Sequence, residues 1–171
     1  EAIPCLLKIN GKQEVITSRI LKFYGIGEAE LEHRIQPLLE KQSNPTVAPL
    51  ATAEAVTLRI TAKASTIDEA NQLINPIEEE IRSIVGEFIY GTDDDTLSSR
   101  AVELLKKKGF TLSAAESLTA GLFLAELANE PGISGTLSGG VIVYDEEAKV
   151  NQLGVEQHLL DEYGVVSKEC A

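Results

Sequence analysis

The sequence predicts a small α+β domain followed by a truncated, helix-covered, mainly parallel α/β sheet domain. Three observations carry this. Residues 1–91 read as strand, helix, strand, strand, helix, strand. Residues 92–171 open on a helix and then alternate strand with helix, the order of a parallel sheet. Between the two blocks, just after Gly91, lies the polar, acidic stretch Thr92-Asp93-Asp94-Asp95-Thr96.

In the first block, residues 14–24 (EVITSRILKFY) alternate and are rich in β-formers, which predicts a strand closed by Gly25-Ile26-Gly27. Glu28 to Gln42 then places Leu31, Ile35, Leu38 and Leu39 at helical spacing, with acidic residues in the first turn. Residues 45–53 and 55–64 predict two strands joined by a turn at Thr52 to Glu54. Thr66 to Gly86 repeats the helical period through Ala70, Leu73, Ile74, Ile77, Ile81 and Ile84. Thr66 is its expected N-cap with Glu69 as capping-box partner, Gly86 its terminating glycine, and Pro76 a potential kink. Glu87 to Tyr90 predicts a last short strand. The resulting β-α-β-β-α-β order includes the arrangement of KH-like domains. A nucleic-acid-binding KH site needs a GxxG loop between two helices, and the chain's GxxG, Gly132 to Gly135, lies in the other block.

In the second block, Leu97 to Lys108 predicts a helix ended by Gly109, with Lys106-Lys107-Lys108 complementing the dipole of its last turn. An apolar run ends at Glu116-Ser117. Thr119-Ala120-Gly121 are expected to open a helix, Gly139 to Tyr144 to form the next strand, and Asp145 to cap a helix that carries Lys149. Ser167 reads as the N-cap of one more helix start.

Composition narrows the function. The formal net charge is −12, with 9 basic and 13 acidic residues up to Gly91 and 6 and 14 after it, so neither half is built to neutralise a phosphate backbone. That argues against a nucleic-acid partner. No apolar run approaches the ~20 residues of a membrane span, so no membrane role is expected and the expected location is cytoplasmic. Cys5 and Cys170 lie at opposite ends, with no His or Cys at ligand spacing; both read as free thiols, and no metal is expected. No GxGxxG or Walker pattern appears, so no cofactor is expected either. There is no methionine, and the chain stops as a helix starts, so it is expected to be a piece of a longer protein. A truncated sheet edge leaves a homo-oligomer open.

One constellation has the look of chemistry. In a strand-to-helix turn of an α/β sheet, the residue at the strand's carboxyl end is lifted into the ligand crevice, and Ser117 occupies that position. The N–H groups that follow would belong to a helix's first turn and so offer a site for a phosphate or a developing oxyanion, with Ala120 and Gly121 leaving the backbone accessible. Alternatively Ser117 caps that helix. His33 and His158 sit among charged neighbours and read as surface residues. Lys149 is the better base candidate: it lies 32 residues on, after the adjacent strand, so both helix starts would meet at one sheet edge. A solvated lysine beside Glu146 and Glu147 is the alternative. Glu116 either binds a substrate hydroxyl or is internally paired, and Gly139-Gly140 serves either ligand approach or packing.

The segments Ala115-Glu116-Ser117-Leu118-Thr119-Ala120-Gly121, Gly139-Gly140-Val141-Ile142-Val143-Tyr144, Glu147-Ala148-Lys149, Leu153-Gly154-Val155 and Tyr163-Gly164-Val165-Val166-Ser167 resemble the carboxyl-terminal domain of the competence/damage-inducible CinA family. Upstream, Phe23-Tyr24-Gly25-Ile26-Gly27-Glu28, Asn44-Pro45-Thr46 and Tyr90-Gly91 resemble its middle, KH-like segment. The family includes stand-alone nicotinamide-nucleotide amidohydrolases. The resemblance implies a parent enzyme that hydrolyses the amide of nicotinamide mononucleotide, with Ser117 as nucleophile, Lys149 as base, and Glu116, Thr119, Gly121 and Tyr144 on the substrate side. The chain departs from the family's common AESCTGG at Leu118 and Ala120. The family's later glycine-rich, threonine-containing segment and distal arginine would follow Ala171, and its amino-terminal molybdopterin-binding-like domain would precede the chain, so this fragment by itself is expected to be inactive or nearly so. A non-catalytic interaction module acting in competence or DNA repair is the alternative implied.

Overall fold

The computed structural model describes residues 14–51 and 55–171. Cys5 and the expected turn at Thr52 to Glu54 lie outside them. The chain forms two compact units, divided between Thr96 and Leu97. That division lies beyond the expected Gly91 because the acidic stretch is tied to the first unit. Asp93 donates its N–H to the Ile20 carbonyl and accepts from the Ile20 N–H, both at 2.8 Å, and the Lys22 ammonium reaches the Asp95 carbonyl at 2.7 Å.

The first unit is one four-stranded antiparallel sheet with two helices on a single face. Its strands β1 (Val15–Phe23), β2 (Thr46–Ala51), β3 (Val56–Ala64) and β4 (Ile89–Thr92) lie in the order β2-β3-β1-β4. The period-2 pattern aims Leu21, Phe23, Leu58, Ile60, Ala62 and Val47 at the helices. Helix α1 (Glu28–Lys41) contributes buried Leu31 and Ile35, and α2 (Ile67–Val85) contributes Ala70, Ile74, Ile81 and Val85. Leu73 and Ile84, expected on the apolar stripe, are each 38% exposed because they lie beside it. Thr66 caps α2 by accepting from Glu69 N–H, whereas the Glu69 carboxylate returns to Ser65 N–H, one residue before the expected partner. The helix runs unbroken through Pro76. The last strand starts two residues later than expected, since a 3₁₀ turn, Gly86–Phe88, occupies the interval.

The second unit contains α3 (Leu97–Lys108), β5 (Leu112–Glu116), α4 (Leu122–Ala128), β6 (Leu137–Ile142), α5 (Glu146–Leu153) and α6 (Gln157–Tyr163). β5 and β6 pair in parallel, with Glu116 opposite Ile142. Two boundaries correct the sequence expectation. Helix α4 begins at Leu122 rather than at Thr119, because Ala120 (φ 49°) and Gly121 (φ 101°) adopt the left-handed conformation, which a right-handed helix cannot include. β6 spans Leu137–Ile142 rather than Gly139–Tyr144, and the register shifts between Leu112 and Ser113 where Gly139 takes φ 127°. Leaving the ladder after Ile142 frees the carbonyls of Val143 and Tyr144 for a side chain.

Candidate active site

Strand β5 ends in Glu116, and the next residue, Ser117, starts a turn of five residues ahead of α4. Ser117 is half-buried. It does not cap the helix: Gly121 is the N-cap residue and makes no side-chain cap bond. The cap comes from Glu116, whose carboxylate is only 4% exposed. Its Oε2 accepts from Thr119 Oγ1 at 2.6 Å, Gly121 N at 2.9 Å and Phe123 N at 3.1 Å, and its Oε1 accepts from Leu124 N at 2.9 Å.

This corrects the expected anion site at the helix start. The N–H groups of Gly121, Phe123 and Leu124 are already spent on an internal anion, which the helix's positive end favours for the same reason it would favour a ligand. The donors left over lie earlier in the turn: the N–H groups of Leu118 and Thr119 meet no acceptor among the described residues. Burial alone would raise the Glu116 carboxyl's pKa. The Thr119 hydroxyl and the Leu124, Phe123 and Gly121 N–H groups outweigh it together and hold the group below the usual carboxylate range.

Lys149 sits in the first turns of α5, which Asp145 caps by accepting from Ala148 N at 2.7 Å. Lysine is rarely buried without partners; here it is 5% exposed and has three. Its Nζ lies 2.6 Å from the Val143 carbonyl, 3.2 Å from the Tyr144 carbonyl and 3.0 Å from Ser117 Oγ. The early end of β6 therefore supplies the bracket that aims the amine. A cavity of about 320 Å³ opens on the pair. Its walls are mainly apolar, with Ala115, Val143, Leu153, Val155 and Val165 among them, while Ser167 and Cys170 add polar atoms.

The structure thus places Ser117, Lys149, Glu116, Thr119 and Gly121 together, with the last two bonded to Glu116. Tyr144 joins through its backbone; as a residue it is 67% exposed. His33 and His158 are exposed, and His158 lies 3.1 Å from Glu156. Among the described residues no group of three His, Cys, Asp or Glu side chains is arranged to hold a metal. Sequence reading assigned no role to the Val143 and Tyr144 carbonyls or to the wall residues 153–170. The signal for the latter was present in Leu153-Gly154-Val155 and Tyr163 to Ser167, which carried resemblance but no assigned role.

Comparison with known proteins gives the family. Residues 18–91 match the damage-inducible protein CinA KH domain, and residues 94–171 match the CinA C-terminal domain. The chain belongs to the CinA family. Over all 171 residues it is 54% identical to a putative competence-damage inducible protein of Lysinibacillus sphaericus, and over 158 residues 51% identical to one of Bacillus thuringiensis. It covers 41% and 38% of those two CinA relatives, so it spans about two fifths of their length. A crystal structure of a CinA superfamily protein from Klebsiella pneumoniae is 32% identical, with 43% of this chain and 46% of that one covered at a TM-score of 0.43. Among the described residues no helix is long and apolar enough to cross a membrane.

Proposed function

We propose that the second unit carries the nucleophile and base of an amidohydrolase that converts nicotinamide mononucleotide to nicotinate mononucleotide and ammonia in the cytoplasm. The supporting observation is the buried amine of Lys149, 3.0 Å from Ser117 Oγ. The amine donates to the Val143 and Tyr144 carbonyls and to Ser117 Oγ, so the two carbonyls hold it against the serine hydroxyl. That is the relation a general base needs to its nucleophile.

Oγ attacks the carboxamide carbon while its proton passes to Nζ. The carbonyl oxygen becomes an oxyanion, and the Leu118 and Thr119 N–H groups, left without an acceptor among the described residues in the turn after Ser117, are the donors this reading assigns to it. Lys149 returns the proton to the departing nitrogen, ammonia leaves, and an ester to Ser117 remains. Water then gives a proton to Nζ as it attacks the ester, and the acid is released with Oγ reprotonated. The mainly apolar walls lower the local dielectric and so strengthen each of these interactions.

Ammonia release from nicotinamide mononucleotide tests the reading, measured on this chain and on the same chain completed to the length of its relatives. Activity belongs to the completed chain. There Ser117→Ala and Lys149→Ala are each expected to lower kcat by about 10³-fold or more, since the two groups act as a unit. Unchanged ammonia release in Ser117→Ala would remove the nucleophile and leave the chain as a module that acts through partners.

A further inference from the structure

We propose that Glu116 is the positioning residue of this pair, holding by its inward carboxylate the turn that presents Ser117 to Lys149 and making no contact with substrate. The inference rests on the amidohydrolase reading for its kinetic consequence, but its structural content stands on the turn alone.

A carboxylate offers about four lone-pair sites. Glu116 meets four donors at 2.6 to 3.1 Å, three on Oε2 and one on Oε1, and is only 4% exposed, so its carboxylate is spent on the turn rather than presented to a substrate hydroxyl. The donors flank the residues in need of support. Thr119 precedes Ala120 and Gly121, and both of these have left-handed φ values. For a residue with a Cβ, such as Ala120, that conformation costs roughly 1–2 kcal/mol and persists only where its surroundings over-determine it. Glu116 supplies that determination, binding the Thr119 side chain on one side and the Gly121, Phe123 and Leu124 backbone on the other.

Ser117 is therefore fixed from both ends. On its amino side, the Glu116 carbonyl accepts from Val143 N at 2.8 Å, just past the end of the strand pair. On its carboxyl side, the Glu116 carboxylate holds Thr119. The same crossing places the Val143 and Tyr144 carbonyls that aim Lys149. One residue thus references both halves of the pair to a single strand register. Among the described residues no lysine or arginine pairs with Glu116, so backbone and hydroxyl donors are what hold the charge.

Glu116→Gln keeps the volume but replaces an acceptor oxygen with a donor that opposes an N–H group. Two readouts follow, the Ala120 and Gly121 backbone ¹³C shifts in this chain and the kinetics of nicotinamide mononucleotide hydrolysis in the completed chain. In the folded variant, Ala120 is expected to lose its left-handed shift, and kcat to fall about 100-fold with KM within about threefold, the size expected for ångström-scale misplacement. Thr119→Val, which removes one donor, is expected to act in the same direction by about tenfold and serves if Glu116→Gln does not fold. A folded variant with Ala120 still left-handed and kcat within threefold of wild type overturns the proposal. So does a raised KM at unchanged kcat, which would make Glu116 a substrate contact. If wild-type turnover does not depend on Ser117, the amidohydrolase reading fails by itself, and the shifts alone decide whether Glu116 holds the turn.

Discussion

Ala120 carries more strain than its size suggests. Its φ of 49° sits in a region that glycine enters freely, while a Cβ there costs roughly 1–2 kcal/mol. Ala120→Gly removes that cost but gives the unfolded chain about 0.4–1 kcal/mol of extra conformational freedom. The balance favours glycine by about 0.5–1 kcal/mol. Amide exchange in β5 and β6 is therefore expected to slow two- to fivefold, provided those amides open through unfolding of their unit; faster exchange would show that Ala120 is not strained. At this scale the sequence showed Ser117 and Lys149 because the end of a parallel strand has a known relation to the crevice. It hid the cap. A serine before a helix follows the familiar capping pattern, whereas a glutamate five residues before the N-cap residue does the work only after two left-handed residues fold the turn back over it.

Among the elements, β5, β6 and α4 approach closely at Gly140. A Cβ on Gly140 would collide with the Ala114 carbonyl across the strand pair and with Leu124 Cδ1 of the helix above. One of these obstacles is backbone, which has no rotamer to offer. Gly140→Ala is expected to destabilise the second unit by about 1–3 kcal/mol, through overpacking that shifts the backbone, and to speed β5 and β6 amide exchange at least about tenfold. Gly135→Ala is the control: its Cβ meets nothing within 4 Å, and it should stay within about 0.5 kcal/mol. Equal effects from the two substitutions would show that the joint has slack. The sequence allowed Gly139-Gly140 to serve either a ligand or packing. The structure separates them, with Gly140 a packing glycine and Gly139 a conformational one at φ 127°. Strand ends were the least legible feature, since the shift of β6 to Leu137–Ile142 depends on its partner's register, and a strand's own residues do not encode that.

For the molecule as a whole, the two units divide the apolar residues unequally. Among the described residues, the eight largest fully buried side chains, Leu21, Leu31, Ile35, Leu58, Ile60, Ile74, Ile81 and Val85, all belong to the first unit. The second unit's buried apolar side chains among the described residues are Val102, Leu127, Ile133, Val143 and Leu160, and only the first three form a cluster, with Leu112 and Leu137 packed against it. The first unit was accordingly the more legible, its alternating strands and amphipathic helices repeating a pattern that burial enforces. Each fully buried aliphatic side chain contributes about 1.5–3 kcal/mol, so this difference outweighs any single hydrogen bond near Ser117. Native-state hydrogen exchange should follow it: amides in the long β1–β3 ladder are expected to exchange at least about tenfold more slowly than those of β5 and β6, which open in sub-global events. The ranking has a functional side, because a site built on the looser unit depends on local devices such as the Glu116 cap and the carbonyl bracket around Lys149. If β5 and β6 instead matched β1 and β3 in protection, buried area would not be what sets local stability here, and the turn around Ser117 would be held by a core larger than these residues form.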